Sequence, residues 1–214
     1  MKLPLALFCL YLVLAGLTGC NVVAPVAYVI EGPPTVDAQY ELPQKKIVVF
    51  VDDRGSVMPR ARLRQALAMK TTNTLLQDQK LVPAAITPEA AARVASIEDY
   101  ETPMAIDEVG RQVGAEVIIY VEPLQFTLAS GVVPQPTSLM RVKVIECKTG
   151  KRLWPQDPSG YTVRADMAAQ NESAYNTPDA LTQLQQTLAE VAGLRVAQLF
   201  YKHEANPLDA QVNP

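Results

Sequence analysis

Ile47-Val48-Val49-Phe50-Val51 runs without a break into Asp52-Asp53-Arg54-Gly55-Ser56. Five consecutive apolar residues with no polar alternation describe a strand buried on both faces, as in the centre of a parallel sheet. The Asp-rich pentad after it supplies a turn. A second unbroken run, Val117-Ile118-Ile119-Tyr120-Val121, follows the glycine at position 114 and reads the same way. Helical periodicity between two such runs predicts an α/β domain.

Leu63, Leu67, Thr71, Thr74 and Leu75 fall on one side of a helix predicted from near Pro59 to Gln77, with Leu81-Val82 as a short strand after it. Three further helix starts share one grammar: Thr87-Pro88, Thr102-Pro103 and Thr177-Pro178. In each, threonine can cap orphan amides and proline occupies the first helical position, where its missing donor costs nothing. The second of these helices puts Ile106, Val109, Gly110 and Val113 on one face, where Gly110 permits close approach to a sheet. Met140, Val142 and Val144 alternate with Arg141 and Lys143, and Tyr161, Val163 and Ala165 with Thr162, Arg164 and Asp166. Both strands should therefore have one wetter face and lie toward a sheet edge. Lys148-Thr149-Gly150-Lys151 is a hairpin turn into Arg152-Leu153-Trp154, and a last helix is predicted from Pro178 to about Lys202. The expected fold is a single three-layer α/β domain. Its mixed sheet of about five strands is flanked by helices in the order β-α-β-α-α-β-β-β-α.

Working outward, the N-terminus carries its own signal. Lys2, the apolar stretch Leu3 to Leu17, and Leu17-Thr18-Gly19-Cys20 match the charged region, apolar region and processing box of a bacterial lipoprotein leader. The apolar stretch is shorter than the roughly 20 residues a spanning helix needs. The expected organisation is a signal peptide over 1–19 and a lipid-anchored, Pro-containing tether over 20–44. A periplasmic domain follows over 45–203, then a polar tail over 204–214. Diacylglyceryl and N-acyl groups on Cys20 are the only cofactor expected, and such chains together give an anchor that hardly dissociates. Asn21, in place of an aspartate, points to the outer membrane, facing the periplasm. Within the tether, Val26 to Ile30 is apolar enough to dock on the domain.

The 19 basic and 22 acidic residues give a net charge of −3, and loss of Lys2 makes the mature chain one unit more negative. No basic stripe marks a nucleic-acid surface. Of three cysteines, Cys9 leaves with the leader and Cys20 is acylated, so Cys147 is alone and reads as a small buried hydrophobe. Asp52 and Asp53 follow a buried strand, where ligand sites of α/β sheets lie, and are the residues a Mg²⁺ or Ca²⁺ would use. Adjacent side chains point apart, however, and an Asp-rich turn needs no metal, so no metal site is assigned. His203, the only histidine, has no HExxH partner. Nucleophile-elbow, Walker and dinucleotide motifs are absent, and the chain is read as a non-enzyme. Trp154, Pro134 and Pro136, in two proline-containing loops, are the candidate partner-binding residues. Trp154 capping the core beside the hairpin is an equal alternative.

Lys46-Ile47-Val48-Val49-Phe50, the junction Val109-Gly110-Arg111-Gln112-Val113-Gly114-Ala115-Glu116-Val117-Ile118-Ile119, and the hairpin Val144-Ile145-Glu146-Cys147-Lys148-Thr149-Gly150-Lys151-Arg152-Leu153-Trp154 carry a resemblance. Over about Lys45 to His203 the chain resembles periplasmic α/β domains of the group that holds the globular part of the curli secretion channel (CsgG), the N-terminal domain of TolB, and LpoB-like activators of penicillin-binding proteins. Leu124 to Ser138, with Pro134 and Pro136, is too short for a membrane-spanning hairpin, so a pore is not expected. The resemblance implies a lipid-anchored interaction or assembly protein of the cell envelope that binds another envelope protein and has the capacity to form a homo-oligomer. The alternatives are an oligomeric secretion or transport accessory and an envelope-polymer hydrolase.

Overall fold

The computed structural model describes residues 33–97, 104–128 and 135–206. Elements follow in the order Thr35–Val36 (β1), Ile47–Val51 (β2), Ala61–Asn73 (α1), Ala85–Ile86 (β3), Pro88–Ala95 (α2), Ile106–Gln112 (α3), Val117–Thr127 (β4), Thr137–Glu146 (β5), Arg152–Trp154 (β6), Tyr161–Asp166 (β7), Pro178–Gln198 (α4) and His203–Glu204 (β8). A wide π-type turn over Thr74–Asp78 extends α1.

The sheet order is β3-β2-β4-β5-β6, with β7 also on β5. Strand β2 is central and parallel to both neighbours, in register with β4 from Ile47↔Val117 to Val51↔Val121. Strands β4 and β5 are antiparallel, with a bulge between Pro123 and Gln125. Strand β7 pairs with residues 137–142 of β5 and β6 with residues 144–145. The two therefore occupy one line, an edge strand interrupted at 155–160. Strand alternation sends Ile47, Val49, Ile119 and Val142 toward α1 and α4, and Val48, Phe50, Ile118 and Tyr120 toward α2 and α3. The result is the expected three-layer α/β domain on a mixed sheet.

Helix crossings are close where glycine allows it. A Cβ on Gly193 of α4 would stand 2.4 Å from the Leu67 carbonyl oxygen of α1, and a Cβ on Gly110 of α3 would stand 2.3 Å from Cys147 Sγ. Thr71 Oγ1 ties the first crossing, donating to the Gly193 carbonyl at 2.9 Å. Leu63 and Leu67 are wholly buried on that side, each contributing roughly 1.5–3 kcal/mol by leaving water.

Several expectations shift. The short strand lies at Ala85–Ile86, not Leu81-Val82, because the Leu81 amide donates to the Leu75 carbonyl at 2.8 Å to close the π turn. Strands β4 and β5 run well into the segment read as a loop insert, where β7 supplies β5 with a second partner. Only β7 is an edge strand of the two alternating runs, since β5 lies between β4 and the β6–β7 line. Of the three Thr-Pro starts, Thr177 caps through its side chain, accepting from the Ala180 amide at 3.1 Å. Thr87 flanks Pro88 without a side-chain bond, and Thr102-Pro103 lies outside the described residues. Helix α3 begins at Ile106 after an extended Ala105.

The largest difference concerns the tether and tail. Thr35–Val36 pairs with His203–Glu204, the Gln39 and Tyr40 amides donate to the Leu199 carbonyl at 2.8 and 3.2 Å, and Leu42 is 5% exposed. Residues 33–44 are thus a strap on the fold, held by backbone pairing and two apolar side chains. The tail's first residues belong to the same ribbon. The leader, Cys20, and Val26 to Ile30 lie outside the described residues.

Candidate functional site

The chain leaves the central strand at Asp52 and Asp53, and the two carboxylates part company at once. Asp52 turns toward β4, where the Tyr120 hydroxyl donates to its Oδ2 at 3.1 Å, and Arg54 Nε lies 3.0 Å from the same oxygen. Asp53 turns the other way, its side chain wholly buried. Its Oδ1 accepts from the Val57 amide at 2.7 Å, and its Oδ2 from the Met58 amide at 3.0 Å and Arg64 Nη1 at 3.3 Å. A carboxylate that bonds amides four and five residues ahead fixes a turn. Burial, with Asp52 beside it, pushes the Tyr120 phenol well above its ordinary range, so it stays a proton donor. The pair is therefore engaged in holding the β2–α1 turn and tying β2 to β4. Among the described residues no three His, Cys, Asp or Glu side chains gather to hold a metal ion.

Beside this turn, a groove of about 420 Å³ opens between α1 and α2, over the end of β2. Phe50 and Val51 form its floor, Ala61, Ala68 and Ala92 its walls, and Arg62, Arg64 and Arg93 its cationic lining. Glu89 is the carboxylate of that lining, and it accepts from Gln65 Nε2. Ser96 also lines the groove and is followed in the chain by Ile97, a large apolar side chain left 81% exposed. Sequence reasoning missed this surface. Its signal was present in the alanines of α1 and α2, which leave room, set among arginines that outnumber the neighbouring carboxylate.

A second hollow, about 350 Å³, separates the β7 edge from the β1–β8 ribbon and α4. Among the described residues β7 pairs only with β5, so its outer backbone faces this hollow. Trp154 does not project from its loop. It is half-buried, its ring centroid 5.9 Å from Tyr40, 4.9 Å from Tyr161 and 6.1 Å from Phe200. The ring packs against the core, with Tyr40 of the strap stacked over it. Pro136 is buried, and its carbonyl accepts from the Met167 amide at 3.0 Å. It joins β5 to the chain after β7 and offers no exposed ring. Pro134 lies outside the described residues.

Cys147 is buried under Gly110, and burial pushes its thiol up to about 11. At neutral pH it is a packed, protonated side chain and not a nucleophile. His203 sits in the ribbon, Nδ1 3.1 Å from the Tyr201 carbonyl. No helix of the described residues is long and apolar enough to cross a membrane. Among the described residues the candidate site is a pair of open grooves flanking the sheet.

No protein-family model matches the chain, and no curated protein matches it. Solved structures with a related course include the hypothetical protein CT253 from Chlamydia trachomatis, at 18% identity and a TM-score of 0.44 over 72% of this chain and 97% of that one. Lipoprotein GNA1162 from Neisseria meningitidis matches at 12% identity and a TM-score of 0.38, over 66% and 97%. The LpoB C-terminal domain from Escherichia coli matches at 18% identity and a TM-score of 0.30, over 67% and 93%. Likenesses this distant assign the chain neither family nor partner.

Proposed function

We propose that this protein is a lipid-anchored interaction or assembly protein of the bacterial cell envelope, held at the outer membrane, facing the periplasm, and acting by binding another envelope protein. The observation that carries the reading is the processing box Leu17-Thr18-Gly19-Cys20 behind Lys2 and an apolar stretch. Acylation at Cys20 places the mature chain on a membrane surface, and the domain behind it offers grooves without a reactive constellation. Asp52 and Asp53, which a hydrolase or a metal site would draw on, are taken up by Tyr120, Arg54, Arg64 and two backbone amides. This favours binding over catalysis.

The docked strap sharpens the geometry. The Ala205 amide donates to the Pro34 carbonyl, so thirteen residues, 21–33, lie between Cys20 and the first bound residue. A chain of that length spans at most about 45 Å, about half of what a free tether to residue 44 would reach. The partner contact is thus made close to the membrane. Cys20→Ala tests the reading: the variant should leave the membrane fraction, and a variant still firmly membrane-bound would overturn it.

A further inference from the structure

We propose that the groove between α1 and α2 seats a segment of a partner protein that carries an apolar side chain flanked by carboxylates. The inference rests on the partner-binding reading above and names the chemistry of the contact. Two features set the apolar part. Phe50 and Val51 floor the groove, while Ala61 and Ala92 are exposed and short, so a side chain can descend between the helices without displacing one. Ile97, next in the chain after the lining residue Ser96, is 81% exposed and offers a second apolar side chain. An occupant covering both must be extended, which selects a polypeptide over a small molecule.

The charges set the flanks. Arg62 and Arg93, one on each helix, make no ion pair among the described residues. Arg64 shares its guanidinium with Asp53 at 3.3 Å and, being partly exposed, keeps donors for an occupant. Of the lining residues only Glu89 is acidic, with one oxygen already accepting from Gln65. The lining is cationic within a chain whose net charge is −3. Guanidinium forks recognise carboxylates bidentately, so acidic residues beside the apolar anchor are the complementary pattern.

The test places a photoreactive benzoylphenylalanine at Ala92 of the full acylated chain in its native cells, with Thr162 on the β7 edge as the comparison position. Adducts are sequenced by mass spectrometry. The expected result is an adduct at position 92 to one protein segment with acidic residues around an apolar one. Its yield should fall at least about tenfold in Arg62→Glu/Arg93→Glu, and fall also in Ile97→Ser, with unfolding midpoints unchanged. Adducts to a neutral or basic segment, to a second copy of this chain, or at a yield indifferent to charge reversal would overturn the proposal. Crosslinking at Thr162 but not at Ala92 would overturn it while leaving the partner-binding reading standing. Silence at both positions would count against both.

Discussion

Asp53, which the sequence offers as a metal-ligand candidate, holds the β2–α1 turn. Its carboxylate is buried, and both oxygens accept hydrogen bonds, so removing it leaves two amides and Arg64 without their acceptor. Asp53→Ala should lower stability by about 3 kcal/mol, read as a shifted urea midpoint. Asp52→Asn keeps an acceptor for Tyr120 and loses only the half-exposed pair with Arg54, so it should cost less than about 1 kcal/mol. Loss of cellular function in Asp52→Asn/Asp53→Asn with the fold intact would reopen the hydrolase alternative.

Gly110 and Cys147 make a second residue-scale case. Gly110→Ala drives a methyl into Sγ and should destabilise by about 1–3 kcal/mol. Adding Cys147→Ala removes the obstructing sulfur, so the double variant should be more stable than the two single costs added together. Lys45 and Glu146, 2.6 Å apart, give a pH prediction. The hydrogen bond from Lys45 holds the Glu146 carboxyl below its ordinary 4.5, and Glu146 holds the Lys45 ammonium above 10.5. Glu146's contribution is therefore present above 4.5 and lost as pH falls through its lowered value. That of Lys45 is present below 10.5 and lost as pH rises through its raised one. In Lys45→Met, carbon-detected NMR should show Glu146 titrating closer to 4.5, and an unchanged midpoint would remove the pair from the account.

At the scale of elements, the strap decides where the domain begins. A chain starting at Lys45 loses the burial of Leu42 and the stacking of Tyr40 on Trp154. It should be less stable than a chain starting at Pro33 by about 3 kcal/mol, and equal urea midpoints would return these residues to the status of a free tether. The strap was illegible in sequence for a physical reason. Its strand residues, Thr35 and Val36, are exposed, so no apolar period marks them, and their partners lie near the C-terminus. The buried strands β2 and β4 were legible because an unbroken apolar run as short as theirs, closed by turn residues, is stable only where both faces leave water. Strand ends were not, because residues 122–127 of β4 pair with residues 137–141 of β5, and that stretch of β5 has β7, distant in sequence, as its second partner. The groove shows the same division. Its floor residue Phe50 reads as core from the sequence, while the groove itself forms only where α1 and α2 meet over β2.

For the whole molecule, the proposed address rests on Cys20 and the proposed binding surface on two helices at the end of strand β2, with the docked strap between them in the chain. The proposed membrane address depends on acylation of Cys20. The direct measurement is the intact mass of the protein extracted from the membranes of its native cells, with its N-terminal peptide sequenced. The account predicts a chain beginning at Cys20 and heavier than its sequence by diacylglyceryl and N-acyl groups. A chain that retains residues 1–19, or that carries an unmodified Cys20, would contradict it.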